Sequence, residues 1–198
     1  MPVMPLGERV LCHSAAWGAL VRPLVPWALS GRSLAGQVLE LGGGGGAMAA
    51  GMLQRFPAAR LTVVDIDPRM VRAIGRRLAG FGDRVRAEVG DATRLPFDGA
   101  RFDVVVSFLM LHHVGAWEAA VAEAARVLRP GGVFVGYDLH DTATSRVIHR
   151  ADGIDNLRSV TRPAMSTALQ SAGFDEPMLR QGALTLRWVA ALAPTGPG

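Results

Sequence analysis

Glu40, Gly42, Gly44 and Gly46 form an E-x-G-x-G-x-G phrase that closes the apolar run Val38 to Leu41. Met48, Met52, Leu53 and Phe56 follow at helical spacing. The pattern is a strand, a glycine turn and a helix. A turn without β-carbons lets a ligand lie directly on the main chain. The helix behind it aims its unused N–H groups at that ligand. Two ligand classes use such a turn. Gly42, Gly44 and Ala47 satisfy the dinucleotide phrase G-x-G-x-x-G/A, although a run of five glycines satisfies many patterns. Glu40 favours the other class, because a carboxylate repels a pyrophosphate and attracts an α-ammonium group. A flexible linker is the plain alternative, but linkers rarely follow an apolar strand so directly.

Further candidates lie at predicted strand ends. Arg60 to Asp67 reads as the second strand, and Asp65 stands 19 residues after Gly46. At that spacing a carboxylate reaches a ribose and can accept from both hydroxyls. Asp67 suits a helix cap, because Pro68 follows at a natural first helical position. Asp91, in Gly90-Asp91-Ala92, is by itself an ordinary turn residue. Ser107 and Phe108 sit near the carboxyl end of the apolar run Phe102 to Leu111, where open α/β sheets bind ligands. His112, His113, Asp138 and His140 are candidate proton acceptors. Asp138, His140 and Asp141 offer metal-ligating types, but their irregular spacing fits a solvated loop, and no metal is expected.

These residues need a scaffold. Val85 to Val89 reads as a weak third strand, and the run from Phe102 as a fourth buried on both faces. Trp117, Val121, Ala124 and Leu128 mark a helix, stopped by Arg129-Pro130-Gly131-Gly132. Val133 to Tyr137 reads as a fifth strand. Pro163 opens a helix that ends at Gly173, and Met178–Leu179 and Leu184–Leu192 read as two last strands. Strand and helix alternate, which predicts parallel strands with helices on both faces.

The chain has 198 residues, 49% of them hydrophobic, and is expected to form one domain, 1–198. It divides into an N-terminal helical arm, 1–33, and a core, 34–198. The arm is apolar around much of its circumference, from Val10 to Leu29, so it packs on the core, covers a cleft or touches a membrane surface. The net charge is +4, and all 21 basic residues are arginine. They are spread along the chain, and the densest group, Arg69, Arg72, Arg76 and Arg77, reads as a solvated helix face. One cysteine, Cys12, excludes an intramolecular disulfide and fits a cytoplasmic protein.

Five phrases occur in order: the glycine motif, Val-Asp-Ile-Asp-Pro, Gly-Asp-Ala-x-x-Leu-Pro-Phe, Phe-Asp-Val-Val-Val leading to Leu-His-His-Val, and Arg-Val-Leu-Arg-Pro-Gly-Gly. Ala-Gly-Phe before the last strand pair adds a sixth. Over residues 36–192 the chain resembles the small, single-domain class I S-adenosyl-L-methionine (SAM) methyltransferases that act on metabolites. The resemblance implies a Rossmann-like, doubly wound α/β sheet of seven strands, mostly parallel, with the last strand antiparallel. It implies SAM held by Glu40, Gly42, Gly44, Gly46, Asp65, Ile66, Asp91, Ala92 and the main chain near Phe108. In that setting Asp91 and Ala92 would meet the adenine. It further implies in-line transfer of the sulfonium methyl to a nucleophile but does not fix the acceptor; the apolar arm, with Trp17, Trp27 and many aliphatic side chains as cover for the cleft, points to a small, largely apolar one. His113 and His140 are the candidate bases, although the family reading makes His112 and His113 mostly structural or cleft-lining. The Pro-Pro-aromatic phrase of base aminomethylases and the Pro-Cys phrase of cytosine-C5 enzymes are missing, which argues against a nucleic-acid acceptor. Two alternatives stay open: an NAD(P)-dependent oxidoreductase, disfavoured because no Tyr-x-x-x-Lys pair can exist without lysine, and a catalytically silent SAM-binding protein.

Overall fold

The computed structural model describes residues 14–140 and 160–194. Seven strands form one sheet in the order β3-β2-β1-β4-β5-β7-β6. They are β1 (Gly36–Leu41), β2 (Ala59–Asp65), β3 (Val85–Val89), β4 (Phe102–Phe108), β5 (Leu128–Leu139), β6 (Phe174–Gln181) and β7 (Thr185–Leu192). All pairings are parallel except those of β7, which runs against β5 and β6. The expected doubly wound sheet with an antiparallel last strand is therefore present. From β1 the chain winds outward to β3, then crosses back to β4 on the other side of β1. That reversal opens a crevice beyond the carboxyl ends of β1 and β4, where ligands bind in such sheets.

The helices follow from local sequence. An arm of α1 (Ala15–Val21), a 3-10 turn (Arg22–Leu24) and α2 (Val25–Ala28) leads into β1. Ser14 caps α1 by accepting from the Trp17 N–H. After β1 comes α3 (Ala47–Arg55), and after β2 comes α4 (Pro68–Leu78). Asp67 leaves the second strand early because its side chain caps α4, accepting from the Arg69 N–H, with Pro68 at the first helical position. α5 (Trp117–Val127) precedes β5, and α6 (Arg162–Ser171) is capped by Thr161.

Two apolar layers sandwich the sheet. On one face Val21, Val25, Ala28 and Leu29 of the arm pack with α3 and with Ile74 and Leu78 of α4. Gly51 makes the arm contact close: a β-carbon there would lie 2.9 Å from the Val25 Cγ2. On the other face Trp117 and Val121 of α5 join Phe134, Trp188, Met165 and Leu169.

Among the boundaries that differ from the sequence expectation, two lie at the centre of the sheet. β4 stops at Phe108 rather than Leu111, because Leu109 adopts φ 50° and Leu111–His113 form a 3-10 turn. β5 starts at Leu128 rather than Val133. Leu128 pairs with Phe102, and the register shifts before Val104, so Pro130-Gly131-Gly132 is absorbed by an irregular strand instead of ending the pairing.

Candidate functional site

The glycine turn is tied to β2. The N–H groups of Gly42 and Gly43 both donate to the Val64 carbonyl, at 2.8 and 3.3 Å, and Gly46 closes the turn onto the Gly43 carbonyl at 2.8 Å. Each glycine answers to different surroundings. A β-carbon on Gly42 would sit 2.1 Å from Met110 Cγ, and one on Gly43 would sit 2.1 Å from Val63 Cγ1. At Gly44, with φ 51°, a β-carbon would meet nothing within 4 Å. So Gly42 and Gly43 are required by protein packing, whereas Gly44 fronts open space. Gly46, with φ 74°, opens α3 without a side-chain cap.

Two carboxyl groups flank this turn. Glu40 is 2% exposed, and its Oε2 has no hydrogen-bond partner. Burial, reinforced by the neighbouring Asp65, pushes its pKa from the usual 4.5 up to about 8. A buried carboxyl without a partner is costly unless a cation arrives to pair with it. Asp65 is oriented by the main chain: the Gly44 N–H donates to Oδ2 at 3.1 Å and the Asp67 N–H to Oδ1 at 3.0 Å. Desolvation raises the Asp65 pKa, the bonds from Asp67 and Gly44 oppose that rise, and the charge of Asp67 adds to it. Each Asp65 oxygen spends one acceptor position on the main chain and keeps another for a ligand.

Two cavities adjoin here, both lined by Gly42 and Leu109. The first is walled by Asp65, Ile66, Gly90, Ala92, Met110 and His113. The second is walled by Glu40, Gly44, Phe108, Tyr137 and, from the arm, Trp17 and Val21. Leu109 stands between them in a left-handed conformation, rare for a branched residue and held by its N–H bond to the Tyr137 carbonyl at 2.9 Å. The second cavity is largely apolar. Tyr137 packs edge-on against Trp27 at 5.0 Å and lies 5.6 Å from Phe108. Burial first, then the charges of Asp138 and Glu40, push the Tyr137 pKa up to about 12.

The structure gathers Glu40, Gly42, Gly44, Asp65, Ile66, Ala92 and Phe108 around this cleft. The Asp91 side chain folds onto its own turn, where Oδ1 accepts from the N–H and hydroxyl of Thr93, both at 2.8 Å. His113 lines the first cavity. His140 lines neither cavity: its ring nitrogen Nε2 meets the Gln181 amide at 2.8 Å, against the β6–β7 hairpin. His112 Nδ1 pairs with the fully buried Asp138, which also accepts from the Leu139 N–H at 2.6 Å. Among the described residues no group of three or more His, Cys, Asp or Glu could hold a metal ion. Cys12, Asp141, His149 and Arg150 lie outside the described residues. Sequence reasoning missed Tyr137 and Leu109. The alternation of β5 turns Tyr137 and Asp138 to opposite faces, which is the one signal that could have found the tyrosine.

Comparison with known proteins agrees with this geometry. Residues 38–132 match a family model described as a methyltransferase domain. The chain is 38% identical over 111 residues to the ubiquinone/menaquinone biosynthesis C-methyltransferase UbiE of Desulfotalea psychrophila, covering 56% of this chain and 44% of that protein. It is 34% identical over 149 residues to the malonyl-[acyl-carrier protein] O-methyltransferase of Geobacter sulfurreducens, covering 70% of this chain and 55% of that protein. The chain thus spans about half the length of these curated relatives. A chain from the complex of the Haloferax volcanii Trm112 methyltransferase activator with a methyltransferase superposes with a TM-score of 0.75 at 18% identity, covering 97% of this chain and 100% of that one.

Proposed function

We propose that this chain is a methyltransferase, as the match of residues 38–132 to a methyltransferase-domain model and its similarity to parts of curated methyltransferases support, and that it transfers a methyl group from SAM to a small, largely apolar acceptor. One observation carries the reading: the buried Glu40 carboxyl, unpartnered at Oε2, faces a cavity that adjoins the oriented Asp65 carboxylate. The pair fits an amino acid joined to a nucleoside. Glu40 would take the α-ammonium group, Asp65 the ribose hydroxyls, and the walls at Ile66 and Ala92 the base. Gly44 leaves the room that the ligand needs. When bound, SAM supplies a methyl group already activated by the sulfonium centre.

The protein's own task is then alignment and exclusion of water. Trp17, Val21, Phe108 and Leu109 provide apolar walls for the acceptor, as ligand pockets usually do. Tyr137 keeps its proton at neutral pH and so orients the acceptor by a hydrogen bond rather than deprotonating it. Where the acceptor needs a base, His113 is the better placed of the two candidate imidazoles, because it lines the cleft. The relatives' names, a ubiquinone/menaquinone biosynthesis C-methyltransferase and a malonyl-[acyl-carrier protein] O-methyltransferase, support a carbon or an oxygen as the methylated atom, and the first of them supports a quinone-like acceptor. Leu20, Leu24 and Trp27 expose an apolar stripe on the arm, which suits peripheral contact with a membrane that holds such a molecule. No helix among the described residues is long and apolar enough to cross a membrane.

The test is incubation of the protein with methyl-labelled SAM and metabolite extracts, with labelled products identified by mass. A labelled apolar product supports the reading. SAM binding without any labelled product would favour a catalytically silent SAM-binding protein.

A further inference from the structure

A second cavity system lies at the opposite end of the strands. Its walls come from the amino ends of β1, β2 and β3 and the segment entering β4. Into it converge Arg60, Arg84, Arg86 and Arg101, with Asp83 as the sole acid of the lining. Gln37 and Thr62 add uncharged polar side chains. The topology explains the gathering. Gln37 pairs with Arg60 in the β1–β2 register, and Thr62 pairs with Arg86 in the β2–β3 register. The link from β3 to β4 contains no helix, so this corner of the sheet stays uncovered.

Arg60, Arg84 and Arg101 are held in place while most of their donors stay unspent, and Arg86 is exposed. Arg60 uses Nη1 on Asp83, at 3.3 Å to both the carbonyl and Oδ2. Arg84 uses Nη1 on the carbonyls of Leu53 and Pro57, at 3.2 and 3.4 Å. The Arg101 guanidinium rests over the rings of Phe97 and Phe102, at 4.8 and 5.4 Å, which fixes its plane without consuming an N–H. Neither Arg86 nor Arg101 has a carboxylate partner among the described residues. Guanidinium groups cannot shed their protons, so four of them facing one carboxylate repel each other. A multivalent oxyanion relieves that repulsion, and planar guanidinium forks match its geometry.

We propose that this corner is a second ligand site, for a small phosphate-bearing anion, separate from the cleft at Glu40 and Asp65. Arg86 and Arg101 are its principal ligands, and Arg60 and Arg84 complete the positive wall. The site lies at the amino ends of the strands, so its occupant is not the methyl acceptor.

The experiment is calorimetric titration of the full chain with inorganic diphosphate at constant ionic strength, with sodium chloride as the matched control. The wild type is expected to bind diphosphate saturably at one site. The Arg86→Gln/Arg101→Gln double variant should bind about tenfold more weakly or worse, as loss of two charge-assisted contacts implies. Both side chains are exposed, so the variant should keep its fold and its SAM affinity, and Arg86→Gln alone gives an independent check. Saturable binding no stronger than the chloride control, or equal binding by the double variant, overturns the proposal. Displacement of diphosphate by SAM overturns it too, because the anion would then sit in the cofactor cleft. A short RNA that binds through the same arginines more tightly than diphosphate would replace the small anion with a nucleic acid.

Discussion

The Gly44 N–H donates to the Asp65 carboxylate across 3.1 Å, joining the turn after β1 to the end of β2. That bond sets the Asp65 side chain before any ligand arrives. It also couples the two elements that define the cleft. A change at either residue should therefore be read in ligand binding more than in folding.

Asp65→Ala should leave the fold intact and weaken SAM binding by about 1.5–3 kcal/mol, the scale of hydrogen bonds to a charged acceptor. Calorimetric titration of the folded variant checks this. Unchanged affinity would remove Asp65 from the ribose site.

Glu40 makes binding and stability depend on pH in opposite senses. Its folded pKa is raised to about 8 from 4.5, so the folded chain binds more protons than the unfolded one between those values. Stability without ligand should then be greatest below about pH 4.5 as far as Glu40 is concerned, and should fall as pH rises toward 8. SAM affinity should rise over the same window, because the ammonium group needs the ionised carboxylate, and binding near pH 7 should release a proton. Titrations in buffers of different ionisation enthalpy measure that proton. Glu40→Gln should lose affinity and lose the pH dependence while unfolding no more easily than the wild type above pH 7. A proton count of zero at pH 7 contradicts this role.

Gly44→Ala and Gly43→Ala should behave differently. Gly44 has space for a β-carbon but a left-handed backbone, so alanine should cost about 1–2 kcal/mol of stability and block SAM. Gly43→Ala drives a methyl into Val63 and should destabilise the fold more. Urea unfolding of both variants, beside SAM titration, separates the two effects. Equal stabilities would show that the packing around Gly43 gives way.

Asp138→Ala should destabilise the chain by about 1–3 kcal/mol, because it strips the buried His112 ring and the Leu139 N–H of their acceptor. Chemical denaturation reads this directly. A loss under about 0.5 kcal/mol would mean that the pair contributes little to holding the Leu111–His113 turn on β5.

The sheet and the side of the cleft that carries Glu40 and Asp65 were legible because their signals are local. Val38 to Leu41 and Phe102 to Phe108 are apolar enough to read as buried strands, and the glycines and Asp65 follow at fixed offsets. Asp67 announced itself as a cap through Pro68. The side of the cleft around Tyr137 and Leu109 was less legible because its residues meet only in space. Tyr137 reaches Trp27 across 110 residues, and Leu109 takes a conformation that its side chain alone would disfavour. The arginine corner was hidden for the same reason: residues 60, 84, 86 and 101 look scattered until the β1–β2–β3 register aligns them. The arm read as apolar, but its role needed the fold. Val21, Val25, Ala28 and Leu29 are core residues, so deleting residues 1–30 would strip the core rather than report on the acceptor alone. Trp17→Ala is the cleaner probe, because Trp17 lines the cleft and is only partly buried.

The central claim is that Glu40 and Asp65 together hold SAM in the crevice beyond β1. Parallel calorimetric titrations with SAM, NADH and NADPH, on the wild type and on Glu40→Gln and Asp65→Ala, test it most directly. The account predicts that SAM saturates one site in the wild type, that either substitution weakens it at least about tenfold, and that neither dinucleotide competes. Saturable NADH or NADPH binding that depends on Asp65, with no SAM binding, would contradict it.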